Sequence, residues 1–352
     1  MGNSVGWPGR ATYCSLLLLF SVYLWGQDDA ELKPVPILTG STGYFTRVTA
    51  GTVQDAPTVS PLLLVPLGDK WLIEAKGSLT DTFAKNRAGT YNGLVSYGAA
   101  YAQVDYIANP YVTVSAGRFI TPFGIYGERF GPNWIRALQV TPMTSGLTSG
   151  GSLGGMLRGG FPAGTEKVNF DYAVYFSTNN TNHIVATDRS TGGRIGFFLP
   201  GPRLEFGASF QQTLQLDRPH AAAVHFVWQP NRVPVSLRSE YVRTSGLKGS
   251  GYYIEATYQL SQVPYLRRVE AVGRGQQFLK ADSLSAATIR RLGALGRDTQ
   301  QGDFGLNYYF RPDVRASASY GRQFALGKNA NLWTIGMTYR FLMPLASRGS
   351  VL

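Results

Sequence analysis

A chain of 352 residues can form two ordinary globular domains or one large β structure. With 42 Gly, 20 Tyr and 19 Phe, it is rich in turns and aromatic residues, which favours short strands over helices. The formal net charge of +12 would suit phosphate binding. The basic residues form no block, however, and no helix-turn-helix or zinc-ligand pattern accompanies them, so nucleic acid is not an expected partner.

The N-terminus has the pattern of an export signal. Arg10 precedes the apolar stretch SLLLLFSVYLWG, which ends at Gly26 and is too short to span a bilayer as a helix. Residues 1–26 are therefore predicted to be a signal peptide, and residues 27–37 a short periplasmic N-terminal segment. The one cysteine, Cys14, precedes the apolar core, so the mature chain is expected to contain no disulfide.

After residue 37 the dominant pattern has a period of two. In KVNFDYAVYFS, apolar Val168, Phe170 and Tyr172 alternate with polar Asn169 and Asp171, which places the two sets on opposite faces of a strand. The same alternation occurs in RLEFGASFQ and NLWTIGMTYRF, at residues 203–211 and 331–341. A soluble β-sandwich also alternates, so the connections between strands must decide the fold class.

Short, Pro-rich connections alternate with longer ones rich in Gly, Thr and Asn. The short ones fall at residues 66–70, 107–110, 162–166, 200–202, 230–234, 261–265 and 311–313. The longer ones fall at 49–57, 81–93, 120–153, 178–191, 213–219, 245–250, 278–300 and 325–330. This alternation predicts an all-β fold, a transmembrane antiparallel up-and-down β-barrel of about 16 strands in the bacterial outer membrane. The barrel is expected over residues 38–341, with a C-terminal tail at 342–352.

The polar face of such a barrel would line a water-filled lumen. Alternation places a set of basic side chains on it: Lys76, Arg158, Arg194, Arg203, Arg238, Arg274 and Arg315. They modestly outnumber the acidic side chains on the same face, which predicts a weak preference for anions. The alternative is that most of these charges pair across strands and only make the barrel rigid.

The longest connection, Thr121 to Gly154, follows the fifth predicted strand. It carries several aromatic residues and few acids, which would be unusual in a fully solvated loop. Folding it into the lumen would bury the rings and narrow a wide barrel. Glu128, Arg129 and Arg136 are therefore predicted to be the constriction residues that set charge selectivity.

Two other classes of protein remain open. A barrel enzyme of the lipid hydrolase type would need a Ser-His pair near the outer rim. The G-x-S-x-G match at 150–154 lacks the strand and helix that a nucleophile elbow requires. A non-conducting structural or adhesin barrel would have a plugged lumen. The histidines lack metal-ligand spacing, and we expect no metal, no cofactor and no enzyme activity.

The stretch YAQVDYIANPYVTVSAGRFITPFGIYGERF, Tyr101 to Phe130, resembles the G-R-F-x-T-P-F-G segment of the phosphate-selective porin O and P family. The resemblance implies a trimeric 16-stranded channel with an inward-folded third loop and an arginine-lined path for anions. The matching positions are Gly117, Arg118, Phe119, Thr121, Pro122, Phe123 and Gly124. Among them, Gly117, Pro122 and Gly124 would be the hinge into the loop.

These patterns together predict passive diffusion of small hydrophilic solutes, either neutral or anionic, with phosphate or other small anions weakly favoured. Expected partners are lipopolysaccharide, outer-membrane lipid and two further copies of the chain in a homotrimer. The last predicted strand ends in MTYRF, like the aromatic-terminated signal for the barrel assembly machinery, with Phe341 as its final residue.

Overall fold

A computed structural model describes residues 35–85, 89–147, 150–164, 167–180, 189–214, 218, 220–245, 249–280, 297–325 and 329–345. The predicted signal peptide, residues 27–34 and the end of the tail lie outside these residues. Within them the chain forms 16 β-strands, numbered β1 to β16 in order. Their bounds are Ile37–Thr49, Thr52–Leu67, Trp71–Lys85, Tyr91–Asn109, Val112–Ile120, Gly151–Ala163, Val168–Asn180, Ser190–Leu199, Leu204–Thr213, His220–Trp228, Val235–Thr244, Gly249–Gln259, Val269–Lys280, Thr299–Arg311, Val314–Ala325 and Ala330–Pro344.

The strands close into one barrel. Each strand is hydrogen-bonded to its neighbours in chain order, and β1 pairs antiparallel with β16, from Ile37 opposite Pro344 to Thr49 opposite Leu332. Closure gives each strand a hydrogen-bonded neighbour on both sides, so that its backbone groups are satisfied without water. The prediction of a closed antiparallel up-and-down barrel with 16 strands is confirmed.

The last strand is longer than predicted. It continues past Phe341, because Leu342 and Met343 extend the ladder opposite Thr39 and Leu38 of β1. The predicted tail therefore begins inside the sheet. Among the described residues, no helix is long and apolar enough to cross a membrane.

The first connection differs from the predicted long one at 49–57. It is a two-residue turn, in which Ala50 and Gly51 have φ of 48° and 82° and Thr49 lies opposite Thr52. Positive φ at both central positions matches the twist of the flanking strands. The polar residues after the turn belong to β2, where the Asp55 carboxylate accepts a 2.6 Å hydrogen bond from Thr46.

The connection between β5 and β6, residues 121–150, folds into the barrel, as predicted. We call it the inner loop; residues 121–147 and 150 of it are described. It contains two short helical turns, Tyr126–Phe130 and Met143–Gly146. The inner loop is shorter than the predicted connection, Thr121 to Gly154. Residues 151–154 of that prediction pair with β5 as the start of β6.

Candidate pore constriction

Two of the predicted hinge residues, one near the end of β5 and one in the inner loop, occupy positions that require glycine. Gly117, near the end of β5, has φ of +124°, and a Cβ there would lie 2.5 Å from the carbonyl oxygen of Ala102. Gly124 has φ of +65°, and a Cβ there would lie 2.6 Å from Glu240 Oε2. Residues other than glycine fit neither position, because the backbone conformation and the close contact both exclude a Cβ. Pro122 lies between them and is buried.

The carboxylate of Glu240 on β11 holds the start of the loop. It is fully buried and accepts hydrogen bonds from the backbone N–H groups of Ile125, at 2.7 Å, and Tyr126, at 3.4 Å. The Gly124 N–H donates to Ser209 Oγ on β9 at 3.0 Å. Burial raises the pKa of the Tyr126 hydroxyl, so this group stays neutral. These bonds fix the backbone of the loop against β9 and β11.

An apolar cluster lies between the loop and the same wall. Phe123 and Leu147 of the loop pack with Ala221, Val242 and Phe278 of β10, β11 and β13. The small side chains on β10 make room for the loop, and burial of the rings drives it onto the wall. Apolar residues at these inward positions therefore serve packing and not water contact.

Glu128 and Arg129, two of the predicted constriction residues, are paired with the wall. Glu128 Oε2 lies 2.5 Å from Arg194 Nη1 on β8. Arg129 forms an ion pair with Glu205 on β9 and lies 4.0 Å from Asp171 on β7. Each of the two loop charges thus has a partner of opposite charge, so their effect on a passing ion is largely cancelled.

The second half of the loop is held by β13, β14 and β15. Arg315 Nη2 donates to the Asn133 carbonyl at 2.8 Å, and Asn307 Nδ2 donates to the Ala137 carbonyl at 2.9 Å. Gln276 Oε1 accepts from the Met143 N–H at 2.8 Å. The loop is therefore fixed along its length to the side of the barrel formed by β8 to β15.

The opposite side of the lumen stays open. A cavity of about 570 Å³ lies between the inner loop and β1 to β4, and we call it the lumen cavity. Its lining includes three basic side chains, Arg47 on β1, Lys76 on β3 and Arg136 on the loop. None of the described residues that line it is Asp or Glu. Many of the others carry hydroxyl groups: Thr58, Ser60, Ser78, Thr80, Thr82 and Thr141.

Most of the other predicted lumen arginines are paired with acids or with the loop. Arg238 and Arg274 share Glu255, and Arg274 also bonds Asp303 at 3.1 Å. Together with Arg315 they are buried beneath the loop. These residues hold the wall and loop together instead of lining the lumen cavity.

Two other predicted lumen residues, Arg158 and Arg203, neither line the lumen cavity nor bond to the inner loop in the part of the chain that the structure describes. Arg158 on β6 bonds the buried carboxylate of Asp105 at 2.9 Å. Arg203 lies in the turn between β8 and β9, with φ of 51°, and donates to Asn231 Oδ1 at 3.1 Å. It is exposed at the short-turn rim, because β9 begins one residue later at Leu204.

The sequence analysis missed Arg47. It shares the inner face of β1 with Phe45, while Tyr44 and the polar Thr46 alternate with them. Apolar and polar residues thus occur on both faces of β1, so alternation gave no signal there. The hairpin with β2, in which Arg47 lies opposite the cavity-lining Gln54, supplies the missing information.

The outer surface of the barrel is apolar. Large side chains project from it on many strands, among them Leu157, Val174, Ile195, Ile254, Leu306 and Ile335. A closed barrel with an apolar exterior and a polar interior is the form in which strands cross the outer membrane of bacteria. This surface places the chain in that membrane.

No protein-family model matches the chain, and no curated protein matches it in sequence. Solved structures do match. A low-pH structure of OprB from Pseudomonas putida has a TM-score of 0.58 at 9% identity, covering 87% of this chain and 93% of that one. OmpF of Salmonella typhi, in complex with daunomycin, has a TM-score of 0.55 at 12% identity, covering 87% and 97%.

The anion-selective porin from Comamonas acidovorans has a TM-score of 0.54 at 11% identity, covering 88% of this chain and 99% of that one. At these identities the likeness concerns the fold. The resemblance to the phosphate-selective porin O and P family stays a prediction. The comparisons show that this chain has the fold of outer-membrane porins.

Proposed function

We propose that the chain is an outer-membrane porin through which small hydrophilic solutes diffuse passively, with a preference for anions. The observation that carries this proposal is the set of Arg47, Lys76 and Arg136 around the lumen cavity, whose described lining has no carboxylate. Three positive charges along the lumen lower the energy of an anion and raise that of a cation.

The carboxylates of the inner face do not offset these charges. Asp105, Asp171, Glu205, Glu255 and Asp303 each lie within 4.0 Å of an arginine. Glu74 is two residues from Lys76 on β3, nearer the short turns, and is not part of the cavity lining. The charge near the constriction is therefore expected to be positive.

The proposal gives the protein no catalytic role. A barrel hydrolase would need a serine activated by a histidine at the outer rim. The ring of His225 is instead buried on the inner face, 3.4 Å from Glu205, and neither of its nitrogens is hydrogen-bonded to a serine. This arrangement suits the wall of a channel.

Ion selectivity in planar bilayers tests the proposal. The reversal potential of the refolded protein in a KCl gradient should show a chloride preference, and R47Q, K76Q and R136Q should each reduce it. One charge about 6 Å from an ion in water is worth about 0.7 kcal/mol, or about threefold in the permeability of each ion. The matched control is R322Q, because Arg322 is exposed and alternates with the inward Gly321 and Gln323 on β15.

The outcomes are distinct. A folded barrel without conductance would support a structural role, and unchanged selectivity in the three variants would refute the assignment of the constriction. The predicted roles of Glu128 and Arg129 can be compared in the same assay. Because both are paired with wall residues, we propose that Arg136 contributes most among the three.

We further propose that the porin is a homotrimer, which assembles through β1 to β3. On this part of the outer face, Asp55 alternates with the cavity-lining Gln54 and Ala56, and Asp81 with Thr80 and Thr82. Both carboxylates thus point away from the lumen. A carboxylate on the lipid-facing side of a barrel costs free energy, so contact with another copy is favoured here.

On the long-loop side of Ala102, β4 is paired with β3 alone among the described strands, because the pairing of β4 with β5 ends at Ala102 and Arg118. Its residues Tyr91 to Ala99 are all exposed. Such an edge is best covered by a second chain. Contacts with lipopolysaccharide at the rim, and with the barrel assembly machinery through β16, stay predictions.

A further inference from the structure

The lumen cavity is large for a simple inorganic anion. Sites that hold small organic molecules have volumes of roughly 300 to 1,000 Å³. The cavity, at about 570 Å³, falls within this range. Its size alone would accommodate a solute as large as a monosaccharide.

The basic groups are spread along the cavity. Arg47 lies opposite Gln54 of β2 and Lys76 lies opposite Leu62, so these two wall residues are separated by roughly 26 Å along the strands. Arg136 belongs to the inner loop. Arg47 Nε is buried and has no hydrogen-bond partner among the described residues. A buried donor without a partner costs free energy, which an oxyanion would relieve. Guanidinium groups suit phosphate and carboxylate, whose paired oxygens match their fork of donors.

The remainder of the lining is polar without charge. Hydroxyl groups on β2 and β3 line one side of the cavity, and the side-chain amides of Gln54, Asn133 and Gln139 are also part of its lining. Hydroxyls and amides both donate and accept hydrogen bonds. Chloride and ionised phosphate chiefly accept, so they would leave the acceptors of the lining unused. A solute that carries its own hydroxyl groups can bond to both the donors and the acceptors of the lining.

We infer that the lumen cavity binds hydroxylated organic anions, such as sugar phosphates and sugar acids, in preference to inorganic phosphate. This inference rests on the proposed channel. The anionic group contacts Lys76 and Arg136, and Arg47 adds positive charge farther along the cavity. The hydroxyls of the solute contact the serine and threonine side chains of β2 and β3, among them Ser60 and Ser78.

Block of the chloride current tests this inference. The full-length protein in a planar bilayer is exposed on one side to glucose 6-phosphate, gluconate, inorganic phosphate or glucose, and the concentration that halves the KCl current is measured. Glucose 6-phosphate or gluconate should halve the current at a concentration at least about fivefold below that of inorganic phosphate. Glucose should block least, because it lacks the charge. The better of the two sugar anions identifies the preferred head group.

A double variant separates recognition of hydroxyls from recognition of charge. S60A/S78A should raise the half-blocking concentration of the sugar anion at least about threefold, while that of inorganic phosphate stays unchanged. The matched control is S317A, since Ser317 is a buried inner-face serine outside the lining of the cavity. Unchanged reversal potential in KCl shows that the double variant has folded and kept its charges.

Equal block by inorganic phosphate and both sugar anions would overturn the inference, as would a double variant that affects all anions alike. The reversal potential measured before any solute is added keeps this test apart from the proposed function. If it shows no chloride preference, the proposed anion channel fails. If the preference is present and the block is equal, only the inference about hydroxylated anions fails.

Discussion

Substitution of Gly124 by alanine tests how the inner loop is seated. Gly124 has φ of +65°, and an added Cβ would lie 2.6 Å from Oε2 and 2.8 Å from Cδ of Glu240. Glu240 Oε2 accepts the hydrogen bond from the Ile125 N–H, so the carboxylate cannot move away without breaking it. The methyl group therefore acts on the point where the loop is joined to the wall.

The cost has two parts. A left-handed conformation at a residue other than glycine costs roughly 1–2 kcal/mol. Loss of the hydrogen bond leaves the buried N–H of Ile125 without a partner, which costs about 1–3 kcal/mol. Together these amount to about 2–5 kcal/mol, which lowers the equilibrium constant for the loop in its native position at least about 25-fold on a scale of about 1.4 kcal/mol per factor of ten.

The barrel itself should survive, because the strand ladder does not depend on Gly124. We expect G124A to give β-sheet circular dichroism like the wild type, and a single-channel current that fluctuates among several levels. The wild type should show one steady level. G164A is the matched control, since Gly164 also has φ of +65° but a Cβ there would have no atom within 4 Å.

A second variant identifies the contact responsible. In E240A/G124A the carboxylate that the methyl group would strike is absent, so the double variant should be no noisier than E240A alone. A steady current from G124A, equal to that of G164A, would refute the reasoning that Glu240 and Gly124 seat the loop.

Two further predictions concern charge and assembly. The chloride preference should fall as KCl is raised from 0.1 M to 1 M, because the Debye length shrinks from about 10 Å to about 3 Å; a preference that did not change with salt would indicate sieving by size. The native mass of the protein extracted in mild detergent should correspond to three chains, and a mass of one chain would contradict the homotrimer.

The sequence could predict the barrel because each strand carries its own signal. Alternation in strands such as β7 reports which side chains face lipid, and the spacing of turns reports the number of strands. Lys76 was assigned to the inner face in this way and lines the lumen cavity. The signal fails where both faces are mixed, as in β1, and Arg47 was missed for that reason.

Pairing within the lumen could not be predicted. Glu128 and Arg194 are 66 residues apart, and Ile125 and Glu240 are 115 residues apart. Alternation places each of the wall residues on the inner face without saying what it contacts. Which charges remain available to a solute depends on where the loop lies, and that follows from side-chain packing between distant parts of the chain.

The position of the inner loop decides which charges of the barrel wall line the open cavity. The inward carboxylates are concentrated on β7 to β14, where Asp171, Glu205, Glu240, Glu255 and Asp303 all lie close to the loop or to the arginines beneath it. The open cavity is bounded instead by β1 to β4, whose contribution includes Arg47 and Lys76. A loop packed on the other wall would cover these two cations and expose the ion pairs that Arg194, Arg238 and Arg274 form with those carboxylates. The apolar contacts of Phe123 with the small residues of β10 therefore help to decide which charges line the open cavity, although none of these residues carries a charge.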